Sequence, residues 1–212
     1  MSYFFGLVVR RERWTLSLRG TLLASFLIVV LAFTAFWRAY PFLAVNHPIH
    51  GDVLVLEGWV PIYTLNQVAD AFRNGHYSKL LIIRTFDVDE RKSREMQATL
   101  VNRGLPATSV ETVYHPAVRK DRTYHAALAA KNWLGDHERP LGSIDVVTVG
   151  SHARRSRLLF QKAFGKTAAV GIIPLDDAAY DSQHWWRTSE GVREVIGESI
   201  AYVYARFFFA WN

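Results

Sequence analysis

An uncharged stretch near the amino terminus limits what this chain can fold into more than any other feature. Residues 20–37 read GTLLASFLIVVLAFTAFW and contain no Asp, Glu, Lys or Arg. As a helix rising about 1.5 Å per residue they would extend about 27 Å, close to the hydrocarbon thickness of a bilayer. A buried core helix would normally show a polar face, whereas here only scattered Ser and Thr interrupt the apolar residues. The stretch therefore predicts a transmembrane helix over residues 20–37.

The charges on either side of this span predict its orientation. Four arginines precede it and one follows nearby: Arg10, Arg11, Arg13, Arg19 and Arg38. Because positive charge favours the cytoplasmic side, residues 1–19 are predicted to be cytoplasmic and the rest of the chain extracytoplasmic. A cleaved signal peptide is the alternative, but bulky Phe36, Trp37 and Tyr40 at the exit, without an A-x-A site, favour an uncleaved signal anchor.

Composition narrows the classes of protein and partner. The chain of 212 residues is 50% hydrophobic and 14% aromatic, which excludes an intrinsically disordered protein. It has no Cys, so a disulfide scaffold, a thiolate nucleophile and a cysteine-ligated zinc site are excluded. The net charge of +6 is compatible with nucleic acid, anionic lipid or a phosphorylated ligand. Because the predicted orientation removes most of the chain from the cytoplasm, nucleic acid is not expected as a partner.

After a predicted tether over residues 38–51, short apolar runs alternate with helical patterns. Strands are predicted at residues 52–56, 80–84, 110–114, 144–150 and 169–175. Helices are predicted at residues 65–75, 93–103, 122–134 and 151–164, ending at Gly75, Gly104, Gly135 and Gly165, with a last helix capped by Ser189. Strands joined by helical crossovers form a parallel sheet with helices on both faces. The prediction for residues 52–212 is a doubly wound α/β domain.

The carboxyl ends of the predicted strands hold the first candidate site residues, since ligands of such sheets bind there. The first strand ends in Glu57-Gly58-Trp59. Gly58 lets the backbone turn and approach a ligand closely, and Glu57 supplies a carboxylate. Arg122 and Thr123 open a helix that starts from a neighbouring strand end and are further candidates. A turn glycine beside a surface acid is the structural alternative.

The fourth strand runs into the most specific segment, Ser151-His152-Ala153-Arg154-Arg155. Ser151 is a natural N-cap, and the free N–H groups of a first helical turn bind anions. Cations in that turn cost stability, because the helix dipole already makes it positive. An anion clamped by Arg154 and Arg155 would offset this cost, so the segment predicts an anion-binding site. A solvated basic helix face is the alternative.

These residues do not identify a particular reaction. The G-x-G-x-x-G, Walker A and G-x-S-x-G patterns are all absent. His152 and Glu57 are the candidates to move a proton. The sequence predicts no metal site, a hard-cation site from Glu57 with Asp176 being the alternative, and it identifies no cofactor.

Three segments resemble a known family. DVLVLEGW, RTYHAALAAKNWL and VVTVGSHARRSRLLFQKAFG resemble the ElyC/SanA/YdcF family of mostly membrane-anchored bacterial envelope proteins, from about residue 52 to the carboxyl terminus. One departure is Glu57-Gly58-Trp59, where that family commonly has Gly-Gly. The resemblance implies a Rossmann-like domain, a single anchor in the inner (plasma) membrane, and a role in envelope or peptidoglycan-linked processes.

The prediction is thus a membrane-anchored envelope protein that binds a phosphorylated or nucleotide-like small molecule at the strand ends. Precursor metabolism of peptidoglycan or another envelope polysaccharide is the expected context. A non-catalytic binding module, or a scaffold of an envelope assembly, is the alternative, and whether the protein is an enzyme stays open.

Overall fold

A computed structural model describes residues 2–3, 8–9, 16–86, 90–137 and 142–209. The chain divides into two units, Met1–Arg38 and Ala39–Asn212. Arg10, Arg11 and Arg13, on which the predicted orientation largely rests, lie outside the described residues.

The first unit contains most of helix α1, Leu18–Leu43. Its most apolar window has a mean hydropathy of 2.1 and is not buried. Within the described residues it is the one helix long and apolar enough to cross a membrane. The prediction of an N-terminal helix able to span a membrane is therefore confirmed, and the helix extends beyond residues 20–37 at both ends. A two-residue antiparallel pair, Ser2–Tyr3 with Val8–Val9, precedes it.

The segment 38–51 differs from the predicted tether. Helix α1 continues to Leu43, whose side chain is buried in the second unit. His47 then exchanges two backbone hydrogen bonds with Ile172, of 2.9 and 3.0 Å. The N–H groups of Ile49 and Gly51 donate to the carboxylate of a strand residue, Asp145, at 2.9 and 3.0 Å. These contacts make residues 39–51 part of the domain.

The second unit is built on one parallel sheet of five strands. Their bounds are β1 Val53–Glu57, β2 Lys79–Thr85, β3 Val110–His115, β4 Ser143–Val149 and β5 Ala169–Leu175. The strand order is β3-β2-β1-β4-β5. The chain reverses its direction of travel between β1 and β4, and this reversal opens a gap between the crossovers at the carboxyl ends.

Helices cover both faces of this sheet. They are α2 Leu65–Gly75, α3 Glu90–Asn102, α4 Arg122–His137, α5 Ala153–Phe164 and α6 Ser189–Val203. The apolar side chains of α2 and α3 pack with one set of strand residues, and those of α4 and α5 pack with the alternate set. The two cores account for the continuous apolar runs of the inner strands, which are buried on both sides. The predicted doubly wound, Rossmann-like α/β fold is confirmed.

Three predicted helix ends are wrong in detail. Helix α4 continues through Gly135 to His137. Helix α5 begins at Ala153, and Ser151 lies in a short 3-10 turn, Gly150–His152, before it. Helix α6 is capped by Thr188, whose hydroxyl accepts a hydrogen bond from the N–H of Gly191 at 3.1 Å. Thr188 and Ser189 are adjacent residues of similar capping chemistry, which made the start of α6 ambiguous in the sequence.

Candidate functional site

A cavity of about 1130 Å³ lies at the carboxyl ends of β1, β2 and β3. The beginnings of α4 and α5 and the last described residues of the chain complete its wall. Seven predicted site residues line it: Glu57, Gly58, Trp59, Arg122, Thr123, His152 and Arg155. The position agrees with the rule that open α/β sheets bind ligands at strand ends near a reversal of strand order.

Ser151 and Arg154 do not line this cavity. Ser151 is buried in the 3-10 turn. Arg154 points elsewhere: its Nε donates to the carbonyl oxygen of Phe42, and its guanidinium lies 3.9 Å from the centre of the Phe42 ring. Of the two neighbouring arginines, only Arg155 faces the cavity.

The end of β1 places a buried carboxylate and a glycine in the cavity wall. Glu57 is buried and accepts a hydrogen bond of 2.7 Å from the hydroxyl of Ser156 on α5. Gly58 donates its N–H to the carbonyl oxygen of Ile83 at 2.9 Å, and its own carbonyl oxygen accepts from Arg84 at 2.6 Å. A Cβ at position 58 would lie 2.6 Å from the Ile83 oxygen. Close approach of β2 therefore requires glycine here.

We expect Gly58→Ala to lower the free energy of unfolding by about 1–3 kcal/mol, because the added methyl group overlaps backbone atoms of β2. Denaturant unfolding of the full chain in detergent measures this. Gly135→Ala is the matched control: nothing lies within 4 Å of its Cβ position inside α4, so this change should add roughly 0.5–1 kcal/mol. Equal stability of Gly58→Ala and the wild type would contradict the close strand contact.

An ion-pair network joins α5 to α6 at one side of the cavity. His152 lies 3.0 Å from Glu194 through Nε2 and 2.9 Å from Glu198 through Nδ1. Arg155 donates to both carboxylate oxygens of Glu198, at 2.7 and 2.8 Å, and to the hydroxyl of Thr123 at 3.2 Å. Two cations and two carboxylates thus compensate one another in a largely buried setting.

The network shifts the pKa values of its members. Burial lowers the pKa of His152, but hydrogen bonds to Glu194 and Glu198 outweigh it and raise the pKa to about 9. The pKa of Glu198 falls to about 2, since hydrogen bonds and charge from His152 and Arg155 outweigh its burial. His152 is therefore an imidazolium near neutral pH, with both ring nitrogens donating to carboxylates. An imidazolium ion cannot accept a proton, so in this state His152 does not act as a general base.

Trp59 covers this network from the β1 side. Its ring centre lies 4.5 Å from that of His152, and about half of the side chain is exposed to the cavity and solvent. An aromatic face against an imidazolium ion stabilises the charged form. Trp59 also leaves a flat apolar surface at the mouth of the cavity, where a ring of a ligand can stack.

Three cations of the cavity wall have no anionic partner. The side chains of Lys92, Arg119 and Arg122 are exposed and make no hydrogen bond or ion pair with the described part of the chain. Arg155, by contrast, is neutralised by Glu198. Since these three cations line one cavity and none of them is paired with a carboxylate, the wall is suited to an anion.

Several residues of the cavity wall and of the ion-pair network beside it carry no recognisable signal in the sequence. Lys92 lies in the first turn of α3 and Arg119 in the connection after β3, both in stretches without a recognisable motif. Glu194 and Glu198 are spaced by four residues on α6. This spacing predicts that they share a face of the helix, but it does not identify the residues that they contact. Asp121, which immediately precedes α4 and also lines the cavity, has a φ of +55°, a left-handed conformation that Asp tolerates better than most residues.

No family model, curated protein or solved structure matches this chain. Within residues 16–86, 90–137 and 142–209, no three His, Asp or Glu side chains gather in a way that would hold a metal ion. The chemistry of the cavity wall is thus the basis for assigning a function.

Proposed function

We propose that this chain is a single-pass bacterial inner-membrane protein that binds a phosphorylated ligand in the strand-end cavity. The observation that carries the proposal is the set of unpaired cations in the wall, Lys92, Arg119 and Arg122. Five Lys and Arg residues line the cavity against two acidic residues, Glu57 and Asp121. Phosphate, with its concentrated charge, is the ligand chemistry that such a cluster favours.

The wall divides into a polar and an apolar part, which together fit a small organic phosphate. Arg119 and Arg122 supply planar guanidinium groups for bidentate contacts to phosphate oxygens. Trp59, Tyr204 and Phe209 line the cavity as well and offer surfaces for a sugar or a nucleobase. The ligand class is therefore a phosphorylated or nucleotide-like small molecule.

Binding without turnover is the second candidate, and the state of His152 favours it. His152 is held as an imidazolium ion by two carboxylates and does not accept a proton at neutral pH. It shares the Glu198 carboxylate with Arg155, and its ring packs against Trp59. In a catalytic version of the proposal, Glu57 is the group that moves a proton, since its carboxylate lies in the wall with Ser156 as hydrogen-bond partner.

The cellular setting follows from the sequence. The arginines before the span favour a cytoplasmic amino terminus and an extracytoplasmic domain. In that orientation the ligand comes from the cell envelope, and nucleic acid is not the partner. The resemblance to the ElyC/SanA/YdcF family adds peptidoglycan or polysaccharide precursor metabolism as the context.

Replacing one unpaired cation tests the proposal. We expect pyrophosphate or a nucleoside diphosphate to raise the thermal midpoint of the full chain in detergent, and Arg122→Gln to weaken binding by about tenfold or more, measured by calorimetric titration. Lys166→Gln removes an exposed cation that does not line the cavity and should bind like the wild type. Equal weakening by both variants would show that binding depends on overall charge and not on the cavity. Binding unaffected by Arg122→Gln would also contradict the proposed site.

A further inference from the structure

Helix α6 carries an apolar face that no described residue covers. Its buried residues, Gly191, Val195 and Glu198, face the domain. On the opposite side an apolar stripe continues into the π-helical turn Tyr204–Phe208. The stripe consists of Val192, Ile196, Ile200, Val203 and Phe207, with Ile200 67% and Phe207 73% exposed. A helix on the surface of a water-soluble domain would carry polar residues there.

The stripe has the dimensions of an interfacial helix. From Val192 to Phe207 it extends about 22 Å, and its residues recur every three or four positions. Phe208 adds a second exposed ring at its end. This pattern is typical of helices that lie in the plane of a membrane surface with one face among the acyl chains.

The charges of α6 are distributed in agreement with such a position. Glu194 and Glu198 are turned inward and paired with His152 and Arg155, so neither carboxylate opposes a lipid surface. Arg206 is exposed at the carboxyl-terminal end of the stripe, and Arg193, which pairs with Glu190 at 3.4 Å, is exposed beside its beginning. Cations flanking an apolar face suit the anionic headgroups of a lipid surface.

The end of the membrane-spanning helix lies against α6. The ring of Phe42, in the last turn of α1, contacts Tyr202 of α6 edge-on with centres 5.5 Å apart. Arg154 stabilises this contact: its Nε donates a hydrogen bond to the carbonyl oxygen of Phe42, and its guanidinium lies over the Phe42 ring. Residues 39–43 and α6 belong to the same unit. Because Phe42 lies only five residues beyond the apolar stretch 20–37, its partner helix α6 is expected near the membrane surface.

We propose that the α6 stripe docks on the membrane in which α1 is anchored, with Ile200 and Phe207 inserted into the interface. The inference rests on the anchor part of the proposed function. Tyr204 and Ala205 of the same turn line the cavity wall, so docking of the stripe would bring this part of the wall close to the membrane.

Site-specific labelling tests this directly, because the chain has no Cys. Single cysteines at Ile200 and Phe207 receive an environment-sensitive fluorophore, and the full chain is reconstituted in vesicles of phosphatidylcholine and phosphatidylglycerol. Lipids with a nitroxide near the headgroup end of the acyl chain serve as quenchers. Ala98→Cys, an exposed site on α3, is the control, and Ile28→Cys reports the span. We expect several-fold stronger lipid quenching at positions 200 and 207 than at position 98.

The outcomes separate this inference from the anchor. Quenching at position 28 with none at positions 200 and 207 overturns the docking of α6 and leaves the anchor intact. No quenching at any of the three positions overturns both. Energy transfer between labelled copies at position 200, without lipid quenching, would show that a second copy of the chain covers the stripe, which also overturns the inference.

Discussion

Replacing Asp145 with leucine is expected to lower the free energy of unfolding by about 3–6 kcal/mol, one of the largest effects of any single change in the domain. The Asp145 carboxylate on β4 is fully buried and accepts three hydrogen bonds. Two come from the N–H groups of Ile49 and Gly51, and the third from the phenol of Tyr77 at 2.8 Å. Leucine leaves all three donors without an acceptor, and each buried unpaired donor costs about 1–3 kcal/mol.

Denaturant unfolding of the full chain, followed by circular dichroism, measures this effect. Tyr77→Phe removes one of the three donors and should cost only about 1 kcal/mol. Asp136→Leu, at an exposed position near the end of α4, is the matched control and should leave stability nearly unchanged. If Asp145→Leu were as stable as Asp136→Leu, the hydrogen bonds from Ile49 and Gly51 to Asp145 would not hold this segment on the sheet.

Replacing Glu198 with glutamine is expected to lower the free energy of unfolding by about 3 kcal/mol at pH 6. Glutamine keeps the shape of the side chain but removes the charge that compensates His152 and Arg155. Breaking a largely buried ion pair by removing one partner leaves the other charge uncompensated. Glu95→Gln, an exposed change on α3, is the control.

The same network predicts the pH dependence of stability. The pKa of His152 rises from 6.5 to about 9 on folding, so its contribution is complete below pH 6.5 and is lost as the pH rises through 9. The pKa of Glu198 falls from 4.5 to about 2, so its contribution is complete above pH 4.5 and is lost as the pH falls through 2. Stability from this network is therefore greatest between about pH 4.5 and 6.5.

Glu198→Gln should flatten the alkaline half of that profile. With one carboxylate gone, the folded-state pKa of His152 moves toward 6.5, and less stability is lost between pH 6.5 and 9. Proton NMR of the His152 ring, alongside unfolding at several pH values, measures both quantities. An unchanged His152 pKa in Glu198→Gln would contradict the ion-pair network.

The fold was largely predictable from the sequence because its determinants are local. Strands buried on both faces read as uninterrupted apolar runs, and β5 was predicted at its observed bounds, Ala169–Leu175. Helix ends were less predictable, because glycine is tolerated inside a helix as well as after its end, and α4 continues through Gly135 to His137. The contacts of residues 38–51 with Asp145 and Ile172 join distant parts of the chain, so the prolines and missing periodicity suggested a tether instead.

The location of the candidate site was predictable, but its chemistry was less so. Strand ends identified Glu57, Gly58 and the segment around His152. Adjacent residues on a helix point about 100° apart, so only packing decides that Arg155 faces the cavity and Arg154 does not. The partners of His152 on α6 lie about 40 residues away in sequence, and their effect on its pKa is a property of the fold.

Locating a bound oxyanion tests the central claim, that the cavity binds phosphate chemistry through its unpaired cations. Tungstate mimics phosphate in shape and charge, and its anomalous scattering marks its position in crystals of the full chain. We predict tungstate between Lys92, Arg119 and Arg122 at millimolar concentration, displaced by pyrophosphate. Tungstate bound only at cations outside the cavity, or the same occupancy after Arg122→Gln, would contradict the account.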